Sequence, residues 1–269
     1  MLKQIFEILV YIFAAIGFLL VAGYFAVRLG LTNTEGIVDL QQESFLAGAG
    51  SAASVEWSQT EEWAVLEAAI RKDTAAINRA AEDADVEPRV IVANLVTEQL
   101  RLFFTDRENY KQFFYPLKIL GPQTQFSWGV MGMKEDTAIQ VESHLKNPVS
   151  PFYPGAEYEN LLDFPLGTED VKSARFIRMT DQHNHYWSYL YAGLFIKEIE
   201  AQWERAGFPI EDEPAILATL FNIGFAHSEP KENPQVGGAE IDIGGKKYSF
   251  GGLAAEFYNS DLLIDLFPR

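Results

Sequence analysis

Apolar residues recur along this chain mostly at helical spacing, with alternating patterns confined to one short segment. Residues Pro88 to Phe103, PRVIVANLVTEQLRLF, form the strongest run: apolar almost throughout, with no Gly and no interior Pro. Pro88 suits the first helical turn, where a missing N–H leaves nothing unpaired. At 100° per residue Ile91, Leu95, Glu98 and Leu102 fall on one narrow face. The pattern also predicts helices over Glu56 to Asp85, with Trp57, Trp63, Leu66, Ile70 and Ile77 as its apolar positions, and over the later part of Ser127 to Gln140. Further helices are expected over Ser188 to Ala206, Pro214 to Phe225 and Leu253 to Phe267. Glu240 to Phe250 alternates around Gly244-Gly245, the signal of a short hairpin. Lys146 to Thr168 holds Pro148, Pro151, Pro154 and Pro165 and reads as a long surface excursion, with residues 146–180 in excess of a compact domain.

The N-terminus differs in kind. Ile8 to Val27 is an uncharged apolar stretch of 20 residues, the length of a transmembrane helix. It is longer than a signal-peptide core and is not followed directly by a small-x-small cleavage site, so an uncleaved single-pass anchor is expected. Lys3, Glu7 and Arg28 are too balanced to orient it. Leu31 to Val55 contains AGAGSAAS, small residues without periodicity, and reads as a linker. The expected plan is an anchor over residues 1–30, a linker over 31–55 and a mainly α-helical domain with a small hairpin over 56–269.

Composition narrows the function. With 48% hydrophobic and 22% charged residues the chain is a folding sequence. It has no Cys, which removes disulfides, thiol nucleophiles and Cys–metal sites. The net charge is −17; Lys3 and Arg28 against Glu7 leave residues 1–30 at +1, so the remainder carries −18. That balance opposes phosphate-tracking nucleic-acid binding. Walker, GxSxG and GxGxxG motifs are absent, so nucleotide, acyl-serine and dinucleotide chemistry lose their usual signals. His183-Asn184-His185 lacks the spacing of a metal site, and no cofactor is expected.

Glu98 is the residue that stands out. A carboxyl in the middle of an apolar stripe is expected to hold its proton more tightly than a solvated one, the property of a general acid. The structural alternative is an ion pair with Arg101, three residues on.

VEPRVIVANLVTEQL resembles the catalytic helix of the soluble-type lytic transglycosylases, a lysozyme-like family, with Pro88, Ala93 and Glu98 at the family's mutual spacing. Ser127-Trp128-Gly129-Val130-Met131 through Thr137-Ala138 is similar to the second motif, matching at Ser127, Gly129, Met131, Thr137 and Ala138. Ala218 through Phe221-Asn222 to Gly224 is similar to the third, in family order. Gln99, Gly132, Glu135 and Phe221 stand where the family has Ser, Gln, Pro and Tyr.

The resemblance implies a lysozyme-like domain that cleaves the β-1,4 bond between N-acetylmuramic acid and N-acetylglucosamine in peptidoglycan, leaving a 1,6-anhydro sugar. Glu98 would be the single catalytic acid and base, with Ser127, Trp128, Met131, Phe221 and Asn222 as substrate contacts. Peptidoglycan strands would be the partner, and the domain would face the outside of the cell membrane, where that substrate lies. Two alternatives stay open. One is a hydrolytic muramidase on the same fold, with Asp106 or Glu108 activating water. The other is an inactive domain that binds glycan or scaffolds an envelope complex.

Overall fold

The computed structural model describes residues 55–104 and 128–269. The expected membrane anchor lies outside them, as does the linker except for its last residue, Val55. Ser127, Asp106 and Glu108 lie outside them too. Among the described residues no helix is long and apolar enough to cross a membrane. The described part is mainly helical, with seven α-helices and one two-stranded antiparallel sheet.

Helix α1 (Glu61–Ala84) begins where Thr60 Oγ1 accepts from the Trp63 N–H at 3.2 Å, and Glu61 and Glu62 place negative charge at its positive end. It stops at Asp85, whose φ of 51° is left-handed, with the Val86 N–H closing back on the Ala81 carbonyl at 3.0 Å. Helix α2 (Pro88–Phe104) follows at once. Nearly every residue from Arg89 to Leu100 is buried, so α2 is the centre of the core. Helices α3 (Glu135–Leu145) and α4 (Val171–Thr180) pack on α5 (Tyr186–Arg205), and α1 packs along both α2 and α5. Helix α6 (Pro214–Ile223) and helix α7 (Phe250–Asn259) pack on each other and on α2.

The sheet is the expected hairpin. β1 (Glu240–Ile243) pairs with β2 (Lys246–Ser249), Ile243 opposite Lys246. Both central residues, Gly244 and Gly245, have positive φ, as a two-residue type I′ turn requires. Ile241 and Ile243 face inward, and β1 lies on α2.

Two features depart from the sequence pattern. Leu253 to Phe267 is helical only to Asn259; turns follow, and Arg89 holds them. Its guanidinium is fully buried and donates all five N–H groups to backbone carbonyls: Phe257, Tyr258, Ser260, Leu262 and Phe267, at 2.6–3.2 Å. One arginine thus satisfies carbonyls that the end of α7 leaves open.

The second is α4, inside the expected excursion. Its buried side carries Arg175 as well as Met179, so a charge occupies a position that periodicity reserves for an apolar residue. Asp170 caps it through the Ser173 N–H at 2.9 Å. Arg175 is neutralised by a fork onto Glu142 of α3, both bonds 2.7 Å. The loop before α4 is tied down by two more arginines. Arg178 donates to the carbonyls of Leu162 and Asp163 while its guanidinium lies between the rings of Phe164 and Trp187, 3.9 and 4.0 Å from their centroids. Arg205 donates to the carbonyls of Ser150, Pro151 and Tyr153.

Candidate functional site

Glu98 lies on the third turn of α2 and is 4% exposed. Both its oxygens are engaged by one partner: Arg101 Nη2 donates to Oε1 at 2.6 Å and Nε to Oε2 at 3.0 Å. This is the ion pair foreseen as the structural alternative. The fork is the bidentate geometry of an arginine–carboxyl pair.

Above the carboxylate lies a small turn. Trp128 and Met133 exchange backbone bonds, the Trp128 N–H to the Met133 carbonyl at 2.6 Å and the reverse at 3.2 Å, enclosing residues 129–132. Gly132, in the left-handed region at φ 61°, brings bare backbone against Glu98. A Cβ on Gly132 would fall 2.1 Å from Oε1 and 2.7 Å from the carboxyl carbon. Gly132 is therefore the residue that lets the turn reach the carboxylate, and neither a glutamine nor any other side chain fits this backbone.

Two side chains fasten the turn. Gln99, the neighbour of Glu98, donates Nε2–H to the Val130 carbonyl at 2.5 Å. On the far side the Met131 N–H approaches Ser188 Oγ of α5 at 3.4 Å. Trp128 is 2% exposed, its ring edge-on to Phe176 at 5.2 Å, and its indole N–H is buried without a partner. Met131 is buried as well. Both pack the base of the turn, and the element of this group open to a ligand is the turn's backbone.

The third motif is occupied differently. Asn222 accepts the Ala239 N–H through Oδ1 at 2.8 Å, and Thr219, one turn earlier on α6, accepts the Gly237 N–H at 3.0 Å. Together they pin residues 237–239, the approach to β1. The Phe221 ring packs against Phe195 of α5, centroids 5.2 Å apart. The structure thus brings Glu98 together with the turn of the second motif, whereas the contacts of Phe221 and Asn222 run to α5 and to the approach to β1.

Sequence reasoning passed over two participants. Ser188 gave no signal, because its role depends on where α5 crosses the turn. Gln99 was visible only as a departure from a family pattern.

Away from this site a second buried carboxyl sits on α5. Glu198 is fully buried, with Oε2 3.2 Å from His144 Nδ1 and Oε1 without a partner. Burial pushes its proton affinity well above the usual carboxylate range and lowers that of His144. His144 stacks on Phe152 and meets Phe225 edge-on, with centroids 4.7 and 4.6 Å away. At the N-terminus of α5, His185 Nδ1 and the Tyr189 hydroxyl share Asp73 Oδ2 at 2.5 and 2.7 Å. Among the described residues no group of three or more His, Asp or Glu is placed to hold a metal ion.

Comparison of the chain with protein-family models, with curated proteins and with solved structures returns no match.

Proposed function

We propose that this chain is a membrane-anchored, lysozyme-like lytic transglycosylase that cuts peptidoglycan with Glu98 as its only catalytic carboxyl. The observation that carries the reading is the seating of the Gly132 backbone directly on the buried carboxyl of Glu98 in the core helix. Such a site presents one titratable group beside an accessible edge of peptide backbone, the means to fix a sugar against a proton donor.

In this mechanism protonated Glu98 gives its proton to the oxygen that links the two sugars. The C1–O bond of N-acetylmuramic acid breaks and the N-acetylglucosamine chain leaves with that proton. The C6 oxygen of the same muramic ring bonds to C1, and its hydroxyl proton returns to Glu98. No water is consumed, and the substrate's own acetamido group meets the positive charge developing at C1, so a second carboxylate is dispensable. Arg101 has to release Glu98 before the first step, because a carboxylate held in a fork has no proton to give. In this reading substrate binding against the exposed backbone of the turn supplies the displacement. In this reading the domain lies on the outer side of the membrane, because that is where peptidoglycan lies.

The test is cutting of purified peptidoglycan by the full-length chain, with products separated by mass. Anhydro ends are expected, and Glu98→Gln should lower the rate by about 10²–10⁴-fold, the range for loss of a general acid. Reducing ends would instead indicate a hydrolytic muramidase. One observation favours a non-enzymatic reading: the Arg101 fork satisfies both oxygens of Glu98. Under that reading the domain binds glycan without cutting it, and Glu98→Gln leaves binding unchanged.

A further inference from the structure

We infer that Gln99 is a positioning residue for the reaction proposed above, holding the 129–132 turn at its working distance from Glu98; the inference rests on that functional reading. Glu98 and Gln99 are consecutive on α2 and so point about 100° apart. Glu98 meets the turn at Gly132, and Gln99 meets it at the Val130 carbonyl, 2.5 Å away. The turn is thereby fixed to the same turn of helix that carries the acid.

The two contacts act in opposite directions. Gly132 lies so close to the carboxylate that not even a Cβ fits between them, so the turn cannot move inward. The Gln99 bond keeps it from moving outward. The other outside tether, Met131 N–H to Ser188 Oγ, is 3.4 Å long, beyond the usual range for a strong N–H···O bond. With glycine at both ends, Gly129 and Gly132, the loop between its buried Trp128 and Met133 ends has a pliable backbone. Among the described residues Gln99 makes the shorter of these two contacts. A purely structural amide would stabilise the fold without touching the chemistry. A positioning amide sets where backbone groups stand relative to the proton donor, and a shift of about 1 Å there costs up to about a hundredfold in rate.

The experiment uses the full-length chain, soluble glycan strands as substrate, and two variants. Gln99→Met has similar length and no donor. Gln99→Asn keeps the amide but is one methylene too short to reach Val130. Both are expected to lower kcat about tenfold with KM changed less than twofold. Amide hydrogen exchange at Met131 to Met133 should quicken, while the core of α2 stays protected. If the wild-type chain cuts and both variants cut at its rate, the inference is overturned and the functional reading stands. Loss of kcat together with lost protection along α2 also overturns it, because the effect is then one of stability. A wild-type chain that binds glycan and never cuts overturns the functional reading, and this inference with it.

Discussion

A methyl group on Gly132 would collide with Glu98 and would have to adopt a left-handed φ besides. The left-handed conformation alone costs roughly 1–2 kcal/mol for a residue with a Cβ, and the collision adds to it. Gly132→Ala should therefore lower the thermal midpoint and slow cutting together. The Glu98–Arg101 pair yields a sharper test. Arg101→Met leaves a buried carboxylate unpaired and should cost about 3–5 kcal/mol of stability, as removal of one partner from a buried pair does. Adding Glu98→Gln to it should recover most of that loss in denaturant melts, since the uncompensated charge is gone. If the double variant is no more stable than Arg101→Met alone, the pair is not what stabilises this end of α2. The position of Glu98 on an apolar face and its ion-pairing option were both legible in the sequence. That a glycine backbone covers it was not, because the contact joins residues 34 positions apart in the chain.

Arginines as well as glycines finish and join helices here: α6 ends at Gly224 and α5 just before Gly207. Arg89 serves five carbonyls at and beyond the end of α7. Arg89→Met should leave these carbonyls short of donors and destabilise the protein by about 3 kcal/mol or more, given about 1.5–3 kcal/mol for each bond to a charged group. Limited proteolysis should then cut first after Asn259, where the helix ends. Arg178 plays a similar part for the loop before α4, held by two carbonyls and two rings. Helix boundaries for α2, α5 and α6 and the hairpin were readable from periodicity, prolines and the Gly-Gly pair; the start of α1 was not, because Glu56–Gln59 forms a separate turn and Thr60 is extended ahead of Glu61. Helix α4 was not, because Arg175 is buried where an apolar residue is expected, and its neutralisation by Glu142 depends on α3 lying alongside.

Across the whole molecule, burial has left acidic groups that favour the protonated state. Glu198 is pushed well above the usual carboxylate range by burial. Glu200 is pushed up to about 7, again chiefly by burial; nearby Glu211, Asp85 and Glu204 add to the shift, and Lys197 opposes it. A native state that holds a proton more tightly than the unfolded chain loses stability as pH rises from the unfolded value through the folded one. For Glu200 that window runs from about 4.5 to about 7. His144 acts in the opposite sense: burial lowers its affinity, so its contribution is lost as pH falls below about 6.5. Thermal midpoints should therefore decline from mildly acidic toward alkaline pH. The double variant Glu198→Gln, Glu200→Gln should flatten that decline; an unchanged slope would show that these two groups do not set it.

Apart from α4, the order of local elements was written in the sequence, because helix period, caps and the Gly-Gly turn depend on residues close together in the chain. So was the absence of thiol and metal-thiolate chemistry, which composition alone decides. Tertiary structure decided which polar groups are neutralised and by whom: Glu98 by Arg101 under the Gly132 backbone, Arg175 by Glu142, Arg89 by the end of α7. It also decided that Asn222 and Phe221 contact the approach to β1 and α5. Those outcomes depend on how distant segments meet, and a buried charge or an unfilled carbonyl finds its partner only when the chain has closed around it.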